Sequence, residues 1–127
     1  MGDSRHEEWL RQADYDLGTA EFMFRGGRYF YAVFMCHLAI EKTLKGLYSF
    51  RLQQTPPKTH NLVFLMSEIG LRPPEGMDRT VVNLNQAQMV TRYPDSLASL
   101  QADFTEPVAK EILVKTQQVQ EWIKQQF

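Results

Sequence analysis

The stretch YFYAVFMCHLAIEKTLKGLYSF, residues 29–50, decides the predicted fold. Its apolar residues recur at steps of three or four, which is the spacing of one helix face, and form a stripe of Tyr29, Val33, Cys36, Ile40, Leu44 and Leu47. A second apolar stripe runs beside it, is interrupted by Glu41, and contains Phe30, Phe34, Leu38 and Tyr48. A helix that is apolar around more than half of its circumference is covered from two sides. We therefore predict a central helix that packs on the domain core with one side. With its other side, formed by Phe30, Phe34 and Leu38, we expect the helix to contact a second copy of the chain or another protein.

The rest of the chain predicts further helices and no strand. Gly26-Gly27 ends the first helix, and Pro56-Pro57 excludes helix after the central one. The predicted helices span about residues 5–24, 29–50, 60–69, 77–91 and 106–126. Residues 95–104 fit either a loop or a turn of helix. The sequence thus predicts one all-α domain over residues 1–127, an antiparallel up-and-down bundle of four to five helices.

Several helix ends and faces follow from local patterns. Ser4 and Glu7 have the spacing of a capping box, and Thr59 is a suitable N-cap for the third helix. Thr105-Glu106-Pro107 is a typical helix start. In the last helix the residues predicted to face inward are Val108, Ile112, Thr116, Val119 and Ile123.

Composition limits the function. The chain has 14 basic and 15 acidic residues and a net charge of −1, so binding of nucleic acid needs a local patch. Its one cysteine, Cys36, lies on the stripe predicted to be buried, which indicates a core residue. Because a single cysteine cannot form a disulfide within the chain, a reducing compartment is consistent with the sequence. No apolar run reaches the length of a membrane span, and the N-terminus does not resemble a signal peptide. We expect a soluble, cytoplasmic protein that does not contact a membrane.

Three segments together resemble a known family. They are AIEKTLKGLY at 39–48, PPKTHNLVFL at 56–65 and RYPD at 92–95, and the first helix adds Trp9, Ala13, Asp16 and Leu17. Their order and spacing are similar to those of the HEPN domain family (higher eukaryotes and prokaryotes nucleotide-binding). The resemblance implies a helical bundle that is commonly a homodimer. Small stand-alone members of the family are often encoded beside a minimal nucleotidyltransferase. Some members are RNA-cleaving toxins, and others bind nucleotides or act as non-catalytic partners.

The chain departs from the catalytic members of that family. These carry an arginine followed after four to six residues by a histidine, whereas Arg92 is followed by YPDSLAS and the last histidine is His60. RNA cleavage without a metal needs a group that takes the 2′-hydroxyl proton, and no such group follows Arg92. The leading hypothesis is a non-catalytic module that binds a nucleotide or RNA, or docks onto a nucleotidyltransferase. The alternatives are a divergent ribonuclease of a toxin–antitoxin pair, with His60 as its base, and a purely structural dimerisation domain.

The candidate phosphate site is centred on Arg92. The planar guanidinium matches a phosphate, although a structural pair with Asp95 or with helix-end carbonyls is an equal alternative. Tyr93 fits base stacking or simple packing beside Pro94. Asp95 is included in the site, although it also fits the cap of a following turn.

Four residues from other positions complete this predicted site. Asn85 and Gln88 share a helix stripe with Arg92. Their amides would either hydrogen-bond a nucleotide or form hydrogen bonds within the end of the bundle. His60 fits a phosphate contact near a helix N-terminus or a bond that fixes its own loop. Lys45 contributes to a small basic spot with Lys42.

Other polar clusters predict no catalytic residue, metal site or cofactor. Asp14 and Asp16 point to different faces of the first helix, and we predict that they face solvent. His37 and Glu41 have metal-ligand spacing without a third ligand, so an ion pair of Glu41 with Lys45 is the simpler interpretation.

Overall fold

The structure, a computed structural model, describes residues 5–127. This part of the chain contains six helices and no strand: α1 (Arg5–Arg25), α2 (Tyr29–Leu52), α3 (Leu62–Ile69), α4 (Met77–Arg92), α5 (Leu97–Asp103) and α6 (Glu106–Lys124). The predicted all-α bundle is confirmed. Ser4, half of the predicted capping box, lies outside the described residues.

Helices α1 and α2 form an antiparallel hairpin. Gly27 takes a φ of +77° in the tight turn between them, a conformation that favours glycine. Near the other end, Gly46 allows close approach, because a Cβ there would lie 3.2 Å from Trp9 Cβ and 3.3 Å from the His6 carbonyl oxygen. An alanine at position 46 would therefore require Trp9 and the backbone at His6 to shift slightly away from α2.

Helix α2 is the centre of the bundle, as its two apolar stripes predict. It contacts α1, α3, α4, α5 and α6. Ile40, Leu44 and Leu47 are fully buried within the core. Cys36 is also buried, and burial raises the pKa of its thiol to about 12, which agrees with a core role. None of the helices between residues 5 and 127 is both long and apolar enough to cross a membrane.

Two predicted caps are wrong by one or two residues. Helix α3 begins at Leu62, and Asn61 is its N-cap because the Asn61 side chain accepts a hydrogen bond from Phe64 N at 3.1 Å. His60 therefore precedes the helix and is not its first residue. Before α5, Ser96 and not Asp95 is the cap, since Ser96 Oγ accepts from Ser99 N at 3.0 Å.

Two predicted exposures are also wrong. Asp16 is buried against Lys42, with 2.9 Å between Oδ2 and Nζ, because α2 supplies the opposite charge. Val108 is exposed, since the buried stripe of α6 begins at Ala109 and Val108 lines a shallow groove between α4 and α6.

Helix α4 packs against α2 and leaves the core towards its C-terminus. Val81 and Leu84 are buried, and the same stripe continues with Asn85, Gln88 and Arg92, which line a surface cleft. The polar part of this stripe, at the end of α4, thus lies beside the loop that precedes α3.

Candidate functional site

The cleft between the α3-preceding loop and the C-terminal half of α4 has a volume of about 460 Å³. We call it the Arg92 cleft. It is lined by His60, Asn61, Asn85, Gln88, Met89, Arg92 and Tyr93. Five of the seven residues of the phosphate site predicted from the sequence therefore lie together.

Arg92 carries the unbalanced positive charge of this cleft. Its guanidinium lies over the ring of Phe34, with 5.2 Å from Cζ to the ring centroid. Its Nε is buried and has no hydrogen-bond partner within residues 5–127. The alternative pair of Arg92 with Asp95 is not formed in this part of the chain, where Asp95 is exposed and lies outside the cleft. A buried N–H without a partner costs free energy, and an anion in the cleft would remove that cost.

The two amides of α4 differ in what they already bind. Asn85 is engaged: its Oδ1 accepts from Leu62 N at 2.8 Å, and its Nδ2 donates to Asn61 Oδ1 at 3.1 Å. Gln88 is 6% exposed, lines the cleft, and makes no side-chain hydrogen bond to any described residue. Asn85 therefore positions the start of α3, whereas the amide of Gln88 is available to a ligand.

His60 reaches the cleft with a fixed ring. Its Nδ1 lies 2.9 Å from Glu41 Oε1. Because a carboxylate only accepts, Nδ1 carries a proton and donates it. Within the described chain the other ring nitrogen, Nε2, has no partner, and the side chain is 53% exposed.

A buried network lies behind His60. Glu41 Oε2 accepts from Lys45 Nζ at 2.9 Å, so the predicted Glu41–Lys45 pair is present. His37 Nε2 donates to the backbone carbonyl of His60 at 2.9 Å. Burial, with smaller contributions from His60 and Arg92, lowers the pKa of His37 to about 4 against the opposing charge of Glu41. His37 is thus a neutral residue that fixes the loop.

Lys45 does not join the other predicted site residues. Its ammonium is buried, paired with Glu41, and lies 5.8 Å from the centroid of the Trp9 ring. Lys42 is likewise paired with Asp16. The basic spot predicted from these two lysines is therefore neutralised by carboxylates of the chain itself.

The comparison with known families decides what kind of domain carries this cleft. The sequence model of the family described as "HEPN domain" matches residues 6–126. The chain belongs to the HEPN domain family. Among curated proteins, none is significantly similar to it in sequence.

Two solved structures share the fold of this HEPN domain. TT1696 from Thermus thermophilus is 25% identical, with a TM-score of 0.85 over 98% of this chain and 100% of that one. ST0689, an archaeal HEPN homologue, is 28% identical, with a TM-score of 0.77 over 95% of this chain and 96% of that one. Both likenesses extend over nearly the whole of each chain.

Sequence reasoning missed two residues that shape the HEPN site. Glu41 holds His60, and Phe34 lies under Arg92. A charged residue that interrupts an apolar stripe, as Glu41 does, indicates a buried polar partner and could have suggested the first contact. Phe34 was assigned with Phe30 and Leu38 to a dimer contact; all three are half-buried, and the dimer itself remains a prediction.

The site of this HEPN domain offers no arrangement for a metal. Among residues 5–127 no three His, Cys, Asp or Glu side chains lie close enough together to hold an ion. Its polar groups are the guanidinium of Arg92, the amide of Gln88 and Nε2 of His60, the ring nitrogen that makes no hydrogen bond within residues 5–127.

Proposed function

We propose that this HEPN domain binds a phosphate group of a nucleotide or RNA in the Arg92 cleft without cleaving it. The observation that carries the proposal is the guanidinium of Arg92, which is held on Phe34 and has no carboxylate partner in the described chain. A cation left unpaired beside buried polar groups is characteristic of an anion site.

The surrounding side chains support the same ligand. Gln88 presents an amide without a partner in the described chain, and His60 presents a ring whose orientation Glu41 fixes. Tyr93 is 72% exposed at the cleft edge, where its ring can stack on a base. In this proposal, these three side chains and Arg92 contact a phosphate and its nucleoside directly. Such local contacts are needed because the net charge of the chain, −1, does not attract an anion.

The test is a calorimetric titration of ATP, GTP and a short single-stranded RNA into the protein and into Arg92→Ala. We expect affinity to fall about tenfold or more, since a hydrogen bond to a charged group contributes roughly 1.5–3 kcal/mol. Arg92→Lys keeps the charge and loses the bidentate fork, so it should recover only part of the affinity. Arg79→Ala is the matched control, because Arg79 is exposed on the first turn of α4 outside the cleft.

Absence of binding to every probe would overturn the phosphate proposal and favour docking onto a protein, with a minimal nucleotidyltransferase as the partner to test first. Mixing the two purified proteins and measuring the mass by light scattering would detect that complex. The same measurement on the domain alone tests the homodimer, and a monomer at micromolar concentration would contradict it.

A divergent ribonuclease is the second candidate, favoured by the Glu41–His60 contact. A histidine whose Nδ1 donates to a carboxylate has its Nε2 free to accept a proton from a 2′-hydroxyl, and Arg92 lies in the same cleft to stabilise the phosphate. Cleavage of a labelled RNA by the wild type but not by His60→Gln would support this function. If the wild type does not cleave the RNA over hours, the ribonuclease function is rejected and the binding function is retained.

A further inference from the structure

A second hollow, with a volume of about 600 Å³, is lined by Phe30, one helix turn before the Phe34 that lies under Arg92. It lies where the turn between α1 and α2 meets the junction of α5 and α6. Phe30 and Tyr31 form its aromatic wall, with ring centroids 4.4 Å apart, and Tyr31 is 52% exposed. Arg28 and Glu106 supply charge at its edges.

One face of α2 links the hollow to Arg92. Phe30 precedes Phe34 by four residues, so the two rings share a helix face and lie about 6 Å apart along its axis. Phe34 supports Arg92, and Phe30 lines the hollow. The chain connects them on the other side as well, because Leu97 lines the hollow only five residues after Arg92.

The chemistry of the hollow fits a nucleobase more closely than a phosphate. An exposed aromatic ring stacks on any base, and a nearby arginine adds a cation–π contact or balances a backbone phosphate. Glu106 Oε2 accepts from the hydroxyl of Tyr29 at 3.4 Å and has further lone pairs for another donor. A carboxylate there accepts from the exocyclic amino group of adenine or cytosine and has no such donor in uracil.

We propose that the ligand of the Arg92 cleft is a single-stranded oligonucleotide whose next base stacks on Tyr31 and Phe30. The inference rests on the proposed phosphate site at Arg92 and extends it by one base-binding subsite. One phosphate lies on Arg92, and the strand follows the Phe34–Phe30 face of α2 into the hollow. A mononucleotide fills only the cleft and leaves the aromatic wall uncovered.

The experiment compares an adenylate trinucleotide of RNA with AMP by calorimetry, in the wild type and in Arg92→Ala, Tyr31→Ala, Tyr31→Phe and Tyr15→Ala. We expect the trinucleotide to bind at least tenfold more tightly than AMP. Tyr31→Ala should weaken trinucleotide binding roughly 5- to 100-fold, the loss of one stacked base, and leave AMP binding unchanged. Tyr31→Phe should retain the trinucleotide affinity, since the ring and not the hydroxyl is required. Tyr15→Ala is the matched control, because Tyr15 is 78% exposed on α1 and outside both sites.

Each other outcome overturns the inference. Equal affinity for AMP and the trinucleotide, lost in Arg92→Ala and unchanged in Tyr31→Ala, would retain the phosphate site and remove the base subsite. No binding of either probe would overturn the phosphate site and the subsite together. A trinucleotide affinity unchanged in Tyr31→Ala, with a dimer mass reduced to a monomer mass by light scattering, would show that a second copy covers the aromatic wall.

Discussion

On the α1 side of the central helix, Lys42 meets Asp16 at 2.9 Å; on the α4 side, Arg92 lies over Phe34 and has no carboxylate partner within residues 5–127. Both cations are partly removed from solvent by the same helix bundle. The difference shows which charges hold the fold and which are available to a ligand. Lys42 is neutralised by the fold itself, whereas Arg92 has no carboxylate partner within residues 5–127, which is why we propose it as the anion site.

Glu41 connects a buried lysine of the fold with a residue of the Arg92 cleft. One of its oxygens pairs with buried Lys45, and the other holds His60 at the edge of the Arg92 cleft. Its removal therefore tests the comparison more severely than any other substitution.

The largest effect is expected for Glu41→Ala. The change leaves the Lys45 ammonium buried and unpaired, which costs about 3–5 kcal/mol of unfolding free energy. Urea denaturation monitored by circular dichroism measures that loss. The double variant Glu41→Gln with Lys45→Met removes the charge pair and should recover much of the stability. If Glu41→Ala lowered the unfolding free energy by less than about 1 kcal/mol, the Glu41–Lys45 pair would not be important for stability.

His37 predicts a pH dependence of stability. Its pKa is lowered to about 4 in the folded protein, from 6.5, so the unfolded chain binds a proton at pH values where the folded chain does not. Stability from this residue is therefore present above pH 6.5 and is lost as the pH falls to about 4, by roughly 3 kcal/mol at most. Unfolding free energies at about pH 7, 6 and 5 should show the decrease.

The control for this prediction is His37→Gln, which keeps a donor for the His60 carbonyl and does not titrate. The difference between the two pH profiles isolates His37 from the carboxylates, which protonate at lower pH. Parallel profiles between about pH 7 and 5 would contradict the role of His37 as a neutral buried donor.

Asp16→Ala should have a smaller effect than Glu41→Ala. The side chain of Lys42 is 21% exposed and can reach water once its partner is gone, so we expect a loss of about 1–3 kcal/mol. Glu111→Ala is the matched control: the Glu111–Lys115 pair is exposed on α6 and should contribute no measurable stability. Equal losses in the two variants would mean that burial does not distinguish these pairs.

The apolar periodicity of the chain predicts α2 and its central position, and it predicts that Asn85, Gln88 and Arg92 share a face. It does not predict α5, since seven residues are too few for a clear period. It also cannot predict that Asp16 meets Lys42, because an ion pair between helices depends on their packing. The cap at Asn61 was missed for the same reason, since Asn85 of another helix completes it.

Apart from the Glu111→Ala control, the smallest change in stability is expected for Arg92→Met, which alters the residue that defines the ligand side of the comparison. Methionine keeps an apolar contact with Phe34 and removes a buried N–H that has no partner in the described chain. The lost cation–π contact, worth about 0.5–1 kcal/mol, is offset by removal of that unsatisfied donor. We expect the unfolding free energy to change by less than about 0.5 kcal/mol, or to rise, while affinity for nucleotide falls.

Urea denaturation and the calorimetric titration measure the two quantities on the same sample. A loss of more than about 2 kcal/mol would instead assign Arg92 to the fold, alongside Lys45. Unchanged or higher stability together with lost binding is the pattern of a residue kept for its ligand at the expense of the free protein.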